Sequence, residues 1–198
     1  MGGFFLGIPS RQVLRVGLLT FFLSITISAL FQLTRATMAF GVSLFVLLIV
    51  ILVGIVFDLI GTAATAAQEK PFHAMASDRM PGSRKAIELV RNADRVASFC
   101  NDLIGDICGT VSGSISAALI IDLVTRHHLY RIEDIISLIT VGLVAALTVG
   151  GKAFGKSFAI RRANTIVWTV ARILDQGGNL FGRGNNKRKS GLPKKNRP

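Results

Sequence analysis

Ala36 to Phe57 is a run of the chain without a single charged residue. A helix needs about 20 apolar residues to cross the hydrocarbon core of a bilayer, so this run is long enough. Four membrane spans are predicted around it: Gln12 to Leu33, Met38 to Ala64, Ala97 to Val124 and Ile135 to Gly150. The first has a few polar residues (Thr20, Ser24, Thr26, Ser28 and Gln32) that a transmembrane helix tolerates. The second is the most hydrophobic and carries one charge, Asp58, while the third is unusually polar. The fourth has 16 residues, short for a full crossing, so it tilts little or extends into its flanks.

Between the second and third spans, Glu69 to Arg95 is polar and mixed in charge. Met80-Pro81-Gly82-Ser83 is a turn signal, followed by an expected helix from Ser83 to Ala97 with Ser83 as its N-cap. Arg126 to Asp134 reads as a short loop. From Phe158 to Leu174 apolar positions alternate with Arg161, Arg162 and Arg172, and Trp168 suits the headgroup level. The expectation there is an amphipathic helix on the membrane surface. From Gln176 onward there are seven basic residues and no acid, the composition of a disordered tail. The tail is either drawn to anionic headgroups, at roughly 1 kcal/mol per basic residue, or is a solvated topology anchor. The expected fold class is an all-α integral membrane protein with four transmembrane helices, a cytoplasmic helical connector and a juxtamembrane amphipathic helix.

Composition sharpens this reading. The 198 residues are 51% apolar and 17% charged, against roughly 25% charged in soluble domains. A net charge of +12 can signal nucleic acid, but here the basic residues flank hydrophobic spans, and no nucleic-acid partner is expected. Of the 23 Lys and Arg, 2 (Arg11 and Arg15) lie at the N-terminal end, 6 lie in the connector and 12 follow the fourth span. Only Arg35, Arg126 and Arg131 fall on the other side. The positive-inside rule therefore predicts a multi-pass cell-membrane protein with both termini cytoplasmic and an uncleaved first span. Cys100 and Cys108 are eight positions apart in one helix, too far to pair, and read as apolar thiols. His73, His127 and His128 are scattered in loops and form no catalytic motif, so no enzymatic activity is expected.

The third span holds the candidate chemistry. Ser98, Asp102, Asp106, Thr110, Ser114, Ala118 and Asp122 recur every four residues, one slowly drifting ridge on a helix. Beside it run Gly105, Gly109, Gly113 and Ala117, a small-residue row of the kind that lets another helix approach closely. Carboxylates at membrane depth cost at least about 2.5 kcal/mol each on insertion scales and default to functional sites. Asp102 and Asp106, with Asn101, Thr110 and Asp58 of the second span, offer oxygens to a hard cation, Mg²⁺ or Na⁺. Asp102 and Asp106 are the expected metal ligands. The alternative is a structural polar network, with the acids paired to Arg95 or Lys152.

From about Leu44 to Leu174 the chain resembles the transmembrane domain of the cyclin M and CorB/CorC proteins, linked to magnesium and cobalt transport. Gly151-Lys152-Ala153-Phe154-Gly155-Lys156-Ser157-Phe158-Ala159-Ile160-Arg161 is similar to the family's Gly-Glu-x-x-Pro-Lys-Ser-x-Ala-x-Arg segment. Thr62-Ala63 resembles the end of its Ser-Glu-Thr-Ala motif, and Asn92-Ala93-Asp94-Arg95 its Asn-Pro-Asp-Arg. Gly61, Lys152 and Gly155 stand where the family has an acid, a Glu and a Pro. The resemblance implies three spanning helices, a juxtamembrane helix and a homodimer, with Thr62, Asp94, Arg95, Gly151, Lys156 and Ser157 as motif positions. On that scheme residues 1–37 are an additional span, 38–175 the membrane domain and 176–198 the tail, with no counterpart of the family's cytoplasmic nucleotide-binding modules. The functional expectation is a small cation transporter or transporter-like protein. Its rival is a membrane scaffold or regulatory protein that kept the fold and lost the metal site.

Overall fold

A computed structural model describes residues 10–35 and 39–182. The expected tail beyond residue 182 lies outside the described residues. Among the described residues eight α-helices follow one another: α1 (Ser10–Arg35), α2 (Phe40–Ala66), α3 (Lys70–Ser77), α4 (Ser83–Arg91), α5 (Ala93–Ala97), α6 (Gly105–His127), α7 (Glu133–Arg161) and α8 (Ala163–Gly182). A π-helical stretch, Ser98–Ile104, joins α5 to α6, and a 3₁₀ turn, Tyr130–Ile132, leads into α7. There is no strand among the described residues.

Among the described residues three continuous helical stretches are long and apolar enough to cross a membrane: Phe40–Ala66, Ala93–His127 and Tyr130–Arg161. In α1 the apolar stretch Gly17–Phe31 is shorter. The fourth expected span gains most from its flanks, since α7 has 29 residues rather than 16. No proline lies between Gly150 and Arg161, and a backbone in lipid must keep its hydrogen bonds within the segment. Ile55 of α2 packs against the backbone at Gly151 and Gly155, which fixes α7 on α2 along this glycine-rich turn.

The membrane layer is organised by α2 and α6. On α2, Leu47, Ile51, Gly54, Asp58 and Gly61 are buried at alternating four- and three-residue steps, one stripe of a helix. On α6, Ile107, Val111, Ile115 and Leu119 form the facing row, and Phe31 of α1 closes the cluster. None of the most apolar part of α7 is buried within the chain, so that helix shows most of its surface outward.

A second layer sits where α2 and α7 end. Phe72 of α3 is fully buried among Ala63, Ala86, Ala159, Val167 and Ala171, drawn from α2, α4, α7 and α8. Glu69 holds this layer from outside, bonded to His73 (2.8 Å) and to Arg91 Nε (2.6 Å). Those two bonds hold its carboxyl below the ordinary range, so the contribution is present at neutral pH and lost as pH falls through the lowered value.

Two expectations about this layer are corrected. The amphipathic helix begins at Ala163, not Phe158, because α7 continues to Arg161. Its row of Ala163, Val167 and Ala171 is buried in the protein, where α8 packs against α4 and the end of α2. Trp168 is half-buried there, with Arg172 lying 5.6 Å from its ring centroid. The expected Ser83–Ala97 helix is divided at Asn92, whose Nδ2 donates to the Glu88 carbonyl (2.9 Å). Gly82, not Ser83, occupies the N-cap position of α4, and the Ser83 hydroxyl donates backward to the Met80 carbonyl (2.7 Å).

Gly82 has φ +83° and abuts α8, where an added Cβ would stand 2.9 Å from Arg172 Cα. Gly82→Ala is expected to cost about 1–3 kcal/mol from the left-handed backbone alone. A thermal unfolding midpoint equal to the parent's would contradict this account of the α4–α8 contact.

Candidate intramembrane ion site

The buried stripe of α2 carries one acid into the bundle. Asp58 is 4% exposed, one turn beyond Gly54 and one turn before Gly61. Its Oδ1 is 3.7 Å from Nζ of Lys156 on α7, inside ion-pair range but beyond a good hydrogen bond. Its Oδ2 is buried without a hydrogen-bond partner. The Lys156 side chain is 52% exposed, so the ammonium reaches in from the outer face of α7 to a carboxylate that is itself buried.

The second contribution comes from the π-helical stretch. A π turn holds more residues than an α turn, so it re-aims side chains, and such bulges recur at functional sites. Here it turns Cys100 and Asn101 toward α2. The Asn101 amide fills the space that a side chain at Gly61 would need, its Cγ lying 2.8 Å from an ideal Cβ there. Asn101 Oδ1 is likewise buried and without a partner. Since Asp58 and Gly61 are three residues apart on the same face of α2, the two unsatisfied oxygens belong to adjacent turns of one seam.

The other expected ligands lie elsewhere. Asp102, Asp106 and Thr110 are exposed on the outer side of the third span. Asp102 Oδ2 accepts from Ser98 Oγ (2.8 Å), and Thr110 Oγ1 donates to the Asp106 carbonyl (2.9 Å). Asp122, farther along the ridge, pairs with Arg126 Nε (2.8 Å). The structure thus buries the Asp58 carboxylate and the Asn101 amide oxygen on the α2 side and leaves Asp102 and Asp106 exposed. The glycine row divides in the same way. Gly105 is buried, with Lys152 Nζ 3.5 Å from where its Cβ would be, whereas Gly109 and Gly113 have nothing within 4 Å. Inside the chain, α2 approaches α6 through Gly54, where an added Cβ would meet Cys108 Cβ at 3.0 Å, and approaches the π-helical stretch through Gly61.

Of the motif positions, Gly151 packs on Ile55 and Lys156 pairs with Asp58. Thr62 is half-buried, and Asp94, Arg95 and Ser157 are exposed. Among the described residues no group of three or more His, Cys, Asp or Glu could hold a metal ion.

Comparison with known proteins returns no match, neither to a family model, nor to a curated protein, nor to a solved structure.

What the site can do follows from its donors and acceptors. A buried carboxylate oxygen and a buried amide oxygen, both without donors, cost free energy unless something positive reaches them. A proton, a nearer approach of Lys156, or a small hard cation would each satisfy them. Sequence reasoning singled out Asp58 and Asn101 as oxygens of the candidate ion site and Lys156 as a motif position; the structure sets Lys156 beside Asp58 and leaves Asp102 and Asp106 exposed. The π stretch has no composition signature of its own in the Ser98–Ile104 run.

Proposed function

We propose that this chain is a small cation transporter, or a transporter-like membrane protein, that binds Mg²⁺ through Asp58 and Asn101, oxygens of the second and third spans. One observation carries the reading: Asp58 Oδ2 and Asn101 Oδ1 are buried acceptors on one seam with no donor, in a bundle built to cross a membrane. Oxygen donors of this type suit Mg²⁺, which keeps part of its water shell and needs few protein ligands, or Na⁺. Four spans with both termini in the cytoplasm follow from the distribution of Lys and Arg, and the similarity to the CorB/CorC membrane domain points to the same chemistry. A homodimer would cover the outer face of α6, with its Gly109 and Gly113 row and the Asp102–Asp106 ridge.

The rival reading, a scaffold without an ion, has its own support. Lys152 stands where the resembled family has a Glu, and Lys156 already supplies Asp58 with a positive charge. Thermal unfolding of the purified protein separates the two. Under the ion reading Mg²⁺ raises the midpoint progressively above its dissociation constant, by about 2.7 kcal/mol equivalent at a hundredfold excess. Asp58→Asn removes the shift, and Asp102→Asn with Asp106→Asn leaves it. No shift in the parent favours the scaffold, and a shift lost only in the double variant would return the metal to the outer ridge.

A further inference from the structure

We propose that the notch between the end of α2 and the α7–α8 junction binds the phosphate of an anionic phospholipid headgroup. This inference rests on the membrane placement of the helices and not on the ion site. The chain turns at Arg162, between the last residue of α7 and the first of α8, and a cavity of about 330 Å³ opens there. Its lining is Arg161, Arg162, Asn164, Thr165 and Gln68 on the polar side and Ala66 with Ile160 on the apolar side.

The chemistry of the lining selects an anion. Two adjacent guanidiniums face the notch region, and among the described residues neither has a carboxylate within ion-pair distance. A guanidinium presents a planar fork of N–H donors that matches two phosphate oxygens at once. The opening turn of α8 adds backbone amides with no carbonyl partner inside the helix. The two walls are fixed to each other, because the Gln68 amide donates to Asn164 Oδ1 (2.9 Å). Another polar cavity, beside Arg79 and Arg84, is lined by Asp175, whose charge opposes an anion; the lining of the notch has no acid.

Position selects the source of the phosphate. The notch lies where α2 ends at Ala66 and α7 ends at Arg161, the level at which spanning helices emerge from hydrocarbon. Ile160 is 61% exposed immediately before Arg161, so an apolar wall adjoins the basic one. A phospholipid offers the same sequence of an acyl chain followed by a phosphate. Basic pockets between spanning helices are known lipid headgroup sites.

The test uses the full chain in an uncharged detergent, with thermal unfolding read against added short-chain phosphatidylglycerol, phosphatidylcholine or inorganic phosphate. Phosphatidylglycerol is expected to raise the midpoint of the parent, and phosphatidylcholine and inorganic phosphate are not. Arg161→Gln with Arg162→Gln should cut the phosphatidylglycerol shift to less than about a third of the parent's, since the paired forks supply the charge-assisted bonds. Lys194→Gln with Lys195→Gln, in the basic tail, should leave it unchanged. The single variants Arg161→Gln and Arg162→Gln, each expected to lower the shift, keep the test decisive if the double variant unfolds. A full shift in the arginine variants, or loss only in the tail variant, overturns the site. An equal shift with inorganic phosphate overturns the lipid assignment.

Discussion

Gly61→Ala will lower the stability of the protein by about 1–3 kcal/mol, the usual cost of forcing extra volume into a packed interior. The new methyl would occupy the space of the Asn101 amide and stand 3.1 Å from Cys100 Cβ. Asn101 can swing away, but Cys100 is held by the backbone of the π stretch, so α2 and the third span must separate slightly. Gly61→Leu enlarges the effect and should break the seam altogether. The informative control is Gly109→Ala, where nothing lies within 4 Å of the new Cβ. That change should be neutral or slightly stabilising, because Ala exceeds Gly in helix propensity by about 1 kcal/mol. Thermal unfolding in detergent reads both. Equal losses at the two glycines would mean that the third span packs through its outer glycine row and not through Gly61.

The second large effect is expected at Lys156. Lys156→Met removes the only positive group within 4.0 Å of the Asp58 carboxylate among the described residues. Asp58 is too deep to recover water, so its oxygens lose their last partner, at a cost of at least about 1–3 kcal/mol. Asp58→Asn should be milder, because Lys156 is half exposed and is not left buried without a partner when the acid is gone. This asymmetry follows from burial and not from the charge of either group. If a cation belongs at Asp58, Mg²⁺ will restore the stability of Lys156→Met and bind it more tightly than it binds the parent, since the ammonium no longer competes. Equal destabilisation by the two substitutions, with no rescue by Mg²⁺, would reduce the pair to a structural ion pair.

Much of this architecture was legible in the chain, for physical reasons. The charge-free run to Phe57 can only be satisfied in lipid or a large core, so α2 was readable to within two residues at either end. The turn at Gly82 was readable because Pro and Gly restrict the backbone locally. The length of α7 was harder, because Lys152 and Lys156 look like the end of a span while the helix continues past them to Arg161. The site was only partly legible. Asp58 stood out as a lone acid in the most apolar span, and this survives as its burial. The Asp102–Asp106 ridge drew attention because four-residue spacing marks one face, but spacing alone does not say whether that face looks inward. The π stretch decides it, by turning Asn101 toward Gly61 while Asp102 remains exposed. The Asp58–Lys156 pair spans nearly a hundred residues of sequence, and nothing local encodes it.

The central claim is that Asp58 lies on a path for Mg²⁺, and flux through the reconstituted protein tests it most directly. Purified protein is placed in liposomes holding a Mg²⁺-sensitive dye, and a Mg²⁺ gradient is applied. The account predicts Mg²⁺ entry above that of empty liposomes, reduced to the empty-liposome rate by Asp58→Asn and retained by Asp102→Asn with Asp106→Asn. Entry by the parent no faster than in empty liposomes, or entry unaffected by Asp58→Asn, would contradict it.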